Sequence, residues 1–249
     1  MQRERRDWAW FFGLWALLIA IGLFLVLGID LLPGQYAREA EVVDEAYILL
    51  LLISVPVFAL VSAALLTSFL RFRTKVGPEG PTEDGPPIHT NPKLLGGWLV
   101  VTSALALGVT INPGFVGLSE LRGESKAEHV IEVTAQRWSF RFTYENGGTT
   151  TQELVLPVDQ RVRFEVTAAD IVHSFWVPAF RVKIDAVPGR VTELYVTPDR
   201  EGEYEDDEAN IRVQCAELCG IGHSTMAVPV RIVSEEEFEA WVADLAEGA

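Results

Sequence analysis

Cys215-Ala-Glu-Leu-Cys-Gly-Ile-Gly-His-Ser-Thr-Met226 is the stretch on which the interpretation of this sequence depends. It holds both cysteines of the chain and places Cys, Cys, His and Met at positions i, i+4, i+8 and i+11 of one loop between two strand-like segments. Thiolate, thioether and imidazole form a soft ligand set, which favours copper over magnesium, calcium or manganese. Two glycines, Gly220 and Gly222, allow the tight backbone path that such a loop needs. The pattern predicts a metal site made by Cys215, Cys219, His223 and Met226.

A second imidazole is available outside this loop. The chain has three other histidines, His89, His129 and His173. His89 falls in a segment predicted to be cytoplasmic, and His129 opens a predicted strand, where a solvated surface histidine is the simpler interpretation. His173 lies in the apolar segment Asp170–Trp176 of the same predicted domain as the loop. It is therefore the natural further ligand.

Two other interpretations of the loop stay open. Two cysteines outside the cytoplasm form disulfides readily, although a disulfide would need neither His223 nor Met226 beside it. A zinc site made by two cysteines and two histidines would leave Met226 without a role, and no finger-type spacing is present. Met226 by itself could also be an ordinary core residue.

The domain around the loop is predicted to be rich in β-strands. Trp138, Phe140, Phe142 and Tyr144 alternate along one segment, which predicts four rings on one face of a strand. Further short strands separated by turn residues indicate a sandwich or barrel. They are expected at 129–134, 161–167, 191–197 and 226–233. Ser234 and Glu237 form a capping box, which predicts a short C-terminal helix over 234–249.

The N-terminal half is predicted to be membrane-embedded. Three uncharged stretches are long enough to cross the ~30 Å hydrocarbon layer. They are Trp8–Ile29, Ala46–Leu70 and Leu94–Ile111. The first defines an N-terminal segment, 1–29, which is predicted to be a membrane span, with a secretory signal as the alternative. The other two would form a hairpin over 46–111 around a Pro/Gly-rich linker, 71–93.

Basic residues set the predicted orientation. Arginines precede the first span, Arg71, Arg73 and Lys75 follow the second, and Lys93 precedes the third, so these segments belong on the cytoplasmic side. The domain after the third span, over 127–233, is then extracytoplasmic. The protein is expected in the plasma membrane as a multi-pass protein.

The charge of the exported part excludes one class of partner. The chain carries a net charge of −15, and from Glu120 onward 25 acidic residues face 12 basic ones. Nucleic acid is therefore not an expected partner. Such a surface suits a basic protein partner, or a high-salt medium that screens self-repulsion, so we expect a halophilic source.

The loop resembles subunit II of the haem–copper cytochrome c oxidases. The likeness extends to Val172–Pro178, Phe180–Arg190, Arg137-Trp138 and Ile88–Leu94 with Trp98, in order along the chain. It implies a cupredoxin-like β-barrel with a binuclear copper (CuA) centre. Cys215 and Cys219 would bridge the coppers, His173 and His223 would each terminate one copper, and Met226 and the carbonyl of Glu217 would be weak axial ligands.

The same resemblance implies partners and roles. The Glu217 carboxylate would point to a magnesium ion shared with subunit I, which holds haem and CuB, and subunit III is a further expected partner. Trp138 would accept electrons from a donor, either cytochrome c or a small blue copper protein, and Asp170 would belong to the donor-docking face. Electrons would pass to subunit I, where O2 is reduced with proton translocation. No catalytic set is expected in this chain itself.

The sequence also departs from the family pattern. Ser139 and Phe140 stand where the family usually has aromatics, the second a tryptophan, so donor docking is expected to differ. Leu95 replaces a glutamate that commonly opens a proton pathway, and the span before residue 30 is extra to the usual hairpin. Two alternatives stay open: a CuA subunit of a nitric oxide reductase, and a non-catalytic copper carrier or assembly protein.

Overall fold

The computed structural model of the protein describes residues 2–29, 32–72, 90–122, 126–204 and 211–247. The chain forms two compact units, one of Met1–Leu31 with Ala46–Val116 and the other of Leu32–Glu45 with Gly117–Ala249. Most of the predicted linker 71–93, including His89, lies outside the described residues. So does the acidic stretch at 205–210.

The first unit is built from helices. They are α1 (Gln2–Gly28), α2 (Arg38–Arg71) and α3 (Pro92–Val109). Among the described residues, three helices are long and apolar enough to cross a membrane, as predicted. The Trp15 indole donates to the Pro56 carbonyl over 3.0 Å, and Arg71 pairs with Asp7, so α1 and α2 are joined by polar contacts as well as by apolar packing.

The chain bends at Asn112-Pro-Gly114, directly after α3. Asn112 alone takes an extended conformation (φ −135°, ψ 116°) within the irregular turn Thr110–Phe115, and helix α4 (Val116–Arg122) follows directly. A residue before proline is pushed out of the α region by the proline ring. The result is a kink rather than an end.

The described strands of the second unit form two five-stranded sheets. The strands are β1 (His129–Gln136), β2 (Ser139–Tyr144), β3 (Thr149–Thr150), β4 (Leu154–Pro157), β5 (Val162–Ala168), β6 (His173–Val177), β7 (Val182–Ala186), β8 (Thr192–Val196), β9 (Arg212–Cys215) and β10 (Ala227–Val233). One sheet has the order β3-β2-β1-β5-β8 and the other β4-β10-β9-β6-β7. The predicted sandwich is confirmed, with parallel pairs β1–β5 and β4–β10 inside largely antiparallel sheets.

The core lies between the two sheets. Alternate residues of β1, β2 and β5 are buried, as a strand with one covered face requires. Phe140 of β2 and Phe164 of β5 meet Phe175 of the opposite sheet, with ring centroids 6.2 and 5.0 Å apart. Trp138 does not share this face: β2 begins at Ser139, and the Trp138 side chain is 45% exposed.

The compact unit is larger than the predicted domain 127–233. Residues 32–45 pack on the sandwich, where the Tyr36 amide donates to the Ala179 carbonyl over 3.2 Å and Ala37 bridges to Pro198. Helix α2 accordingly begins at Arg38, eight residues before the predicted span. Its first turns are part of the β-domain.

The C-terminal helix, α5 (Glu235–Glu247), is present as predicted. The Glu237 amide donates to the Ser234 hydroxyl over 3.3 Å, which is half of the expected capping box. Buried Phe238 packs its ring against His129, with centroids 4.9 Å apart. His129 is therefore held against α5 rather than standing free in solvent.

Candidate metal centre

The predicted ligand loop connects two neighbouring strands. β9 ends at Cys215 and β10 begins at Ala227, and the strands pair antiparallel with Ala227 opposite Gln214. The Cys215 amide donates to the Met226 carbonyl over 2.9 Å, which closes the loop at its base. The pairing of the two strands thus brings the first and last candidate ligands of the dodecapeptide side by side.

The candidate ligand atoms of the loop converge. Cys215 Sγ lies 3.8 Å from Cys219 Sγ, and Cys219 Sγ lies 3.6 Å from His223 Nδ1 and 3.8 Å from Met226 Sδ. The carbonyl oxygen of Glu217 lies 3.1 Å from Cys215 Sγ. Five protein groups from a twelve-residue loop therefore face one small volume.

His173 reaches the same volume from another strand. It opens β6, which pairs with β9 so that Phe175 lies opposite Cys215. His173 is fully buried, and its Nδ1 lies 3.8 Å from Cys215 Sγ. Ligand atoms of His173, Cys215 and Cys219 all lie within 4.8 Å of one another. His173 Nδ1 thus lies beside Cys215 Sγ, and His223 Nδ1 lies beside Cys219 Sγ.

Asp170 forms a hydrogen bond with Nε2 of His173, the ring nitrogen that does not face Cys215. His173 Nε2 lies 2.9 Å from Asp170 Oδ1; with Nε2 as the donor, Nδ1 keeps its lone pair toward Cys215. Burial acts to raise the Asp170 pKa, but hydrogen bonds from His173, the Ile171 amide and Arg137 outweigh it and hold the pKa well below its usual range. A carboxylate behind a ligating histidine is the usual means of fixing ring orientation at metal sites.

The sulfur atoms do not form a disulfide in this structure. Both cysteines are free and buried, and their 3.8 Å separation far exceeds the ~2.05 Å of a sulfur–sulfur bond. Burial, followed by the hydrogen bond with Cys215, raises the pKa of the Cys219 thiol to about 11. Two buried thiols this close ionise together only when a cation compensates their charge, so the residues fit a metal.

The donor set also indicates which kind of metal the site favours. Two sulfurs, two imidazole nitrogens and a buried thioether, that of Met226, are soft ligands of the type that copper prefers. A four-ligand zinc site would use the cysteines and histidines and leave Met226 Sδ beside it without a function. The arrangement is compatible with copper binding.

Trp138 lies at the surface of the centre. Its indole Nε1 donates to the Cys219 carbonyl over 3.2 Å, and its ring covers Gly220 and Gly222 of the loop. A partly exposed aromatic ring is thereby joined by one hydrogen bond to the backbone of a candidate ligand. The sequence suggested Trp138 by resemblance, but it gave no sign of this contact, because the two residues are 81 positions apart.

Glu217 and Leu95, two residues singled out from the sequence, have exposed side chains. The Glu217 side chain is exposed, and only its carbonyl faces the sulfurs. Leu95 lies in α3 with its side chain exposed. The contact of Asp170 with His173 was not anticipated, although the three-residue spacing of the two in the sequence was a usable signal.

Comparisons with known proteins agree with this picture. A family profile described as "Cytochrome C oxidase subunit II, periplasmic domain" matches residues 137–233. The chain is 27% identical to cytochrome c oxidase subunit 2 of Thermostichus vulcanus, covering 85% of this chain and 77% of the relative. It is 32% identical to the subunit 2 of Alkalihalophilus pseudofirmus, in a match that covers 77% of this chain and 56% of the relative. It is 46% identical to that of Cereibacter sphaeroides, in a match that covers 37% of this chain and 28% of the relative. The chain thus spans between about a quarter and about three quarters of the length of these relatives.

Among solved structures, the periplasmic domain of subunit II of cytochrome oxidase from Bradyrhizobium japonicum is 32% identical. The match covers 49% of this chain and 96% of that one, with a TM-score of 0.45.

A cupredoxin-like sandwich with a cysteine–histidine centre compatible with copper, joined to apolar helices, defines the class of this protein. Within that class, the chain is similar to cytochrome c oxidase subunit II, and residues 137–233 match the profile of that family's periplasmic domain.

Proposed function

We propose that this chain is the electron-accepting subunit of a respiratory haem–copper terminal oxidase. The observation that carries the proposal is the convergence of His173, Cys215, Cys219, His223 and Met226 on one small volume, with one imidazole beside each sulfur. Two thiols in contact, each beside its own imidazole, suit a pair of metals held by both sulfurs.

Each ligand has a distinct role in the proposal. Cys215 and Cys219 would hold both coppers of a CuA centre, His173 and His223 would each hold one copper, and Met226 and the Glu217 carbonyl would be weaker ligands. When bound, the copper pair takes up one electron from a donor and gives it on, and no bond to a substrate is made or broken.

The protein groups around the site favour electron transfer over substrate chemistry. His173 and Met226 are buried, the loop is closed at its base by a backbone hydrogen bond, and Asp170 fixes the His173 ring. A ligand set held in this way changes geometry little between oxidation states, which lowers the cost of each transfer. The chain conducts electrons, and the oxygen-reducing site belongs to subunit I.

Electrons enter through Trp138 in this proposal. Its exposed ring meets the donor, and its hydrogen bond to the Cys219 carbonyl leads to a copper ligand. The donor is cytochrome c or a small blue copper protein. Asp170 is already engaged with His173 and Arg137, so its part in donor docking is secondary to its part in orienting His173.

The remaining partners follow from the exposed groups and from the charge pattern of the chain. The Glu217 carboxylate is free to face subunit I, where it would hold a magnesium ion at the boundary. The sandwich lies on the extracytoplasmic side of the plasma membrane, since basic residues flank the opposite ends of the spans. Subunit III completes the assembly, and proton translocation accompanies O2 reduction.

The test is electron uptake by the full-length chain, purified in detergent and loaded with copper. Reduced cytochrome c and a reduced small blue copper protein are each mixed with it in a stopped-flow instrument. We expect one electron to be taken up per chain from at least one of them. Cys219→Ser abolishes the uptake, whereas Ser224→Ala, an exposed position of the same loop, leaves it intact. Copper that a chelator removes readily and that accepts no electron from either donor would indicate a copper carrier instead.

A further inference from the structure

The ring of Trp138 lies directly on the backbone of the ligand loop. A Cβ atom placed on Gly222 would be 2.4 Å from Trp138 Cδ2 and 2.5 Å from Cγ. At Gly220 the corresponding distances, to Cζ2 and Nε1, are 3.5 and 3.6 Å, which is ordinary van der Waals contact. The closest approach of the indole to the loop is therefore at Gly222, the residue before the candidate ligand His223.

The two glycines are required for different reasons. Gly220 has a φ of +115°, a conformation that residues with side chains rarely adopt. Gly222 has φ −84° and ψ 6°, which other residues tolerate. The backbone at Gly222 does not call for glycine, so the lack of a side chain there matters because of the indole that occupies the space.

A side chain at position 222 would have to displace the whole ring. The overlapping atoms, Cγ and Cδ2, lie where the indole is attached to the rest of the side chain. A movement of only the far end of the ring therefore does not relieve the overlap. The same ring donates its Nε1 proton to the Cys219 carbonyl over 3.2 Å. Moving the ring away from Gly222 therefore strains or breaks the one hydrogen bond that joins Trp138 to the site.

We propose that Gly222 is a positioning residue for electron entry: it leaves the space in which the Trp138 indole lies against the segment between Cys219 and His223. The inference rests on the proposed function, because it concerns the path by which a donor reduces the site. In that step the donor loses one electron, the site gains it, and no proton or group is transferred. Gly222 touches neither donor nor metal and acts through Trp138.

Gly222→Ala is the first variant, and Gly202→Ala is its matched control. A Cβ at Gly202 would be 2.6 Å from Cε1 of Tyr36, so this change also forces an aromatic ring aside, at a residue outside the ligand loop whose amide donates to the Ala179 carbonyl. Both variants are made in the full-length chain in detergent. Copper content and the paramagnetic resonance spectrum are measured first, and both are expected to match the wild type.

The position of the ring is read without copper. In chains labelled with 15N-tryptophan, the Trp138 indole proton is assigned by its loss in Trp138→Phe, and its exchange with solvent is measured by nuclear magnetic resonance. We expect Gly222→Ala to shift this signal and speed its exchange, and Gly202→Ala to leave both unchanged. If the indole proton of Gly222→Ala keeps its chemical shift and its protection from solvent exchange, the proposed position of the ring is wrong.

The consequence for electron entry is read with copper bound. Reduction by reduced cytochrome c is expected to slow by about tenfold or more in Gly222→Ala, since small misplacements at reacting groups cost factors of this order. Reduction by dithionite, which needs no docking, is expected to stay within about twofold of wild type, by the same argument. Trp138→Ala should be slowed similarly, and the double variant Gly222→Ala/Trp138→Ala no further, because both act on one path.

These results distinguish a failure of the role proposed for Gly222 from a failure of the proposed function. The double variant also guards against misfolding, since removing the indole removes the clash. A Trp138→Ala chain reduced as fast as wild type would overturn entry through Trp138, and with it the function on which the inference rests. A displaced indole in Gly222→Ala without slower reduction would contradict the same role of Trp138. Slowing in the double variant beyond either single one would overturn the shared path.

Discussion

The carboxylate of Asp44 and the guanidinium of Arg181 form a buried, bidentate ion pair within the β-domain. Arg181 Nε lies 2.8 Å from Asp44 Oδ1 and Nη2 lies 2.9 Å from Oδ2, with side chains only 10% and 9% exposed. Arg181 also donates to the carbonyls of Pro33, Gly34 and Pro178. The pair joins the first turns of α2 to the turn between β6 and β7. It therefore attaches residues 32–45 to the sandwich through the hairpin whose first residue is His173.

Replacing Asp44 by Asn should destabilise the domain by about 3 kcal/mol, because removing one partner leaves a buried charge uncompensated. The measurement is urea unfolding of the full-length chain followed by tyrosine and tryptophan fluorescence. Asp159→Asn is the matched control, since the Asp159–Arg38 pair is 66% and 61% exposed and surface pairs contribute below about 1 kcal/mol. Equal losses in the two variants would show that the Asp44–Arg181 pair does not hold the segment.

Asp170→Asn should weaken copper binding by about 10- to 100-fold while leaving all ligands in place, since the carboxylate behind a ligating histidine sets its orientation. Competition with a chelator of known affinity measures the loss. Asp185→Asn, an exposed carboxylate on β7, serves as the control and should bind copper like the wild type. Unchanged affinity in Asp170→Asn would mean that the His173 ring is held by packing alone.

Stability should fall at alkaline pH through Tyr144. Burial raises the pKa of the Tyr144 hydroxyl well above its usual range, and the hydroxyl is paired with both backbone groups of Val155. A raised pKa in the folded state favours the protonated form, so its stabilisation is complete below a pH of about 10 and declines as the pH rises above it. Urea midpoints between neutral and strongly alkaline pH measure the decline.

Tyr144→Phe tests the assignment of this decline. The variant should be less stable at neutral pH, because the amide and carbonyl of Val155 lose their partner, but its stability should depend less on pH above 10. Parallel curves for the two proteins would assign the alkaline decline to other groups.

Metal binding should release protons. The thiols of Cys215 and Cys219 are buried, and that of Cys219 has a pKa raised to about 11 by burial and by Cys215. Both must lose their protons to act as thiolate ligands, so about two protons should leave per chain at neutral pH, and apparent copper affinity should rise with pH. Calorimetry in buffers of different ionisation enthalpy counts the protons. A count near zero would contradict thiolate ligation.

The candidate site was predictable from sequence because most of its ligands are local. Cys215, Cys219, His223 and Met226 fall within twelve residues, and a loop between two paired strands necessarily brings its ends together. His173 followed as the remaining histidine of the exported part that was not read as a surface residue. The sandwich was predictable from the alternation of buried residues in β1, β2 and β5.

What could not be predicted depends on contacts between distant parts of the chain. Asp44 and Arg181 are 137 residues apart, and nothing in the apolar pattern of the helices indicates that residues 32–45 belong to the β-domain. Trp138 fits the alternation of β2 by spacing, yet the strand begins one residue later and its ring turns to the ligand loop instead. Periodicity describes a strand well, but it does not locate the residue at which the strand begins.

We propose that the ligand loop and His173 hold a mixed-valence pair of coppers. The most direct measurement is electron paramagnetic resonance of the copper-loaded full-length chain, together with metal analysis. We expect two coppers per chain and a hyperfine pattern from one unpaired electron shared equally by two nuclei. One copper per chain with a single-nucleus pattern, or a preference for zinc with no signal, would contradict it.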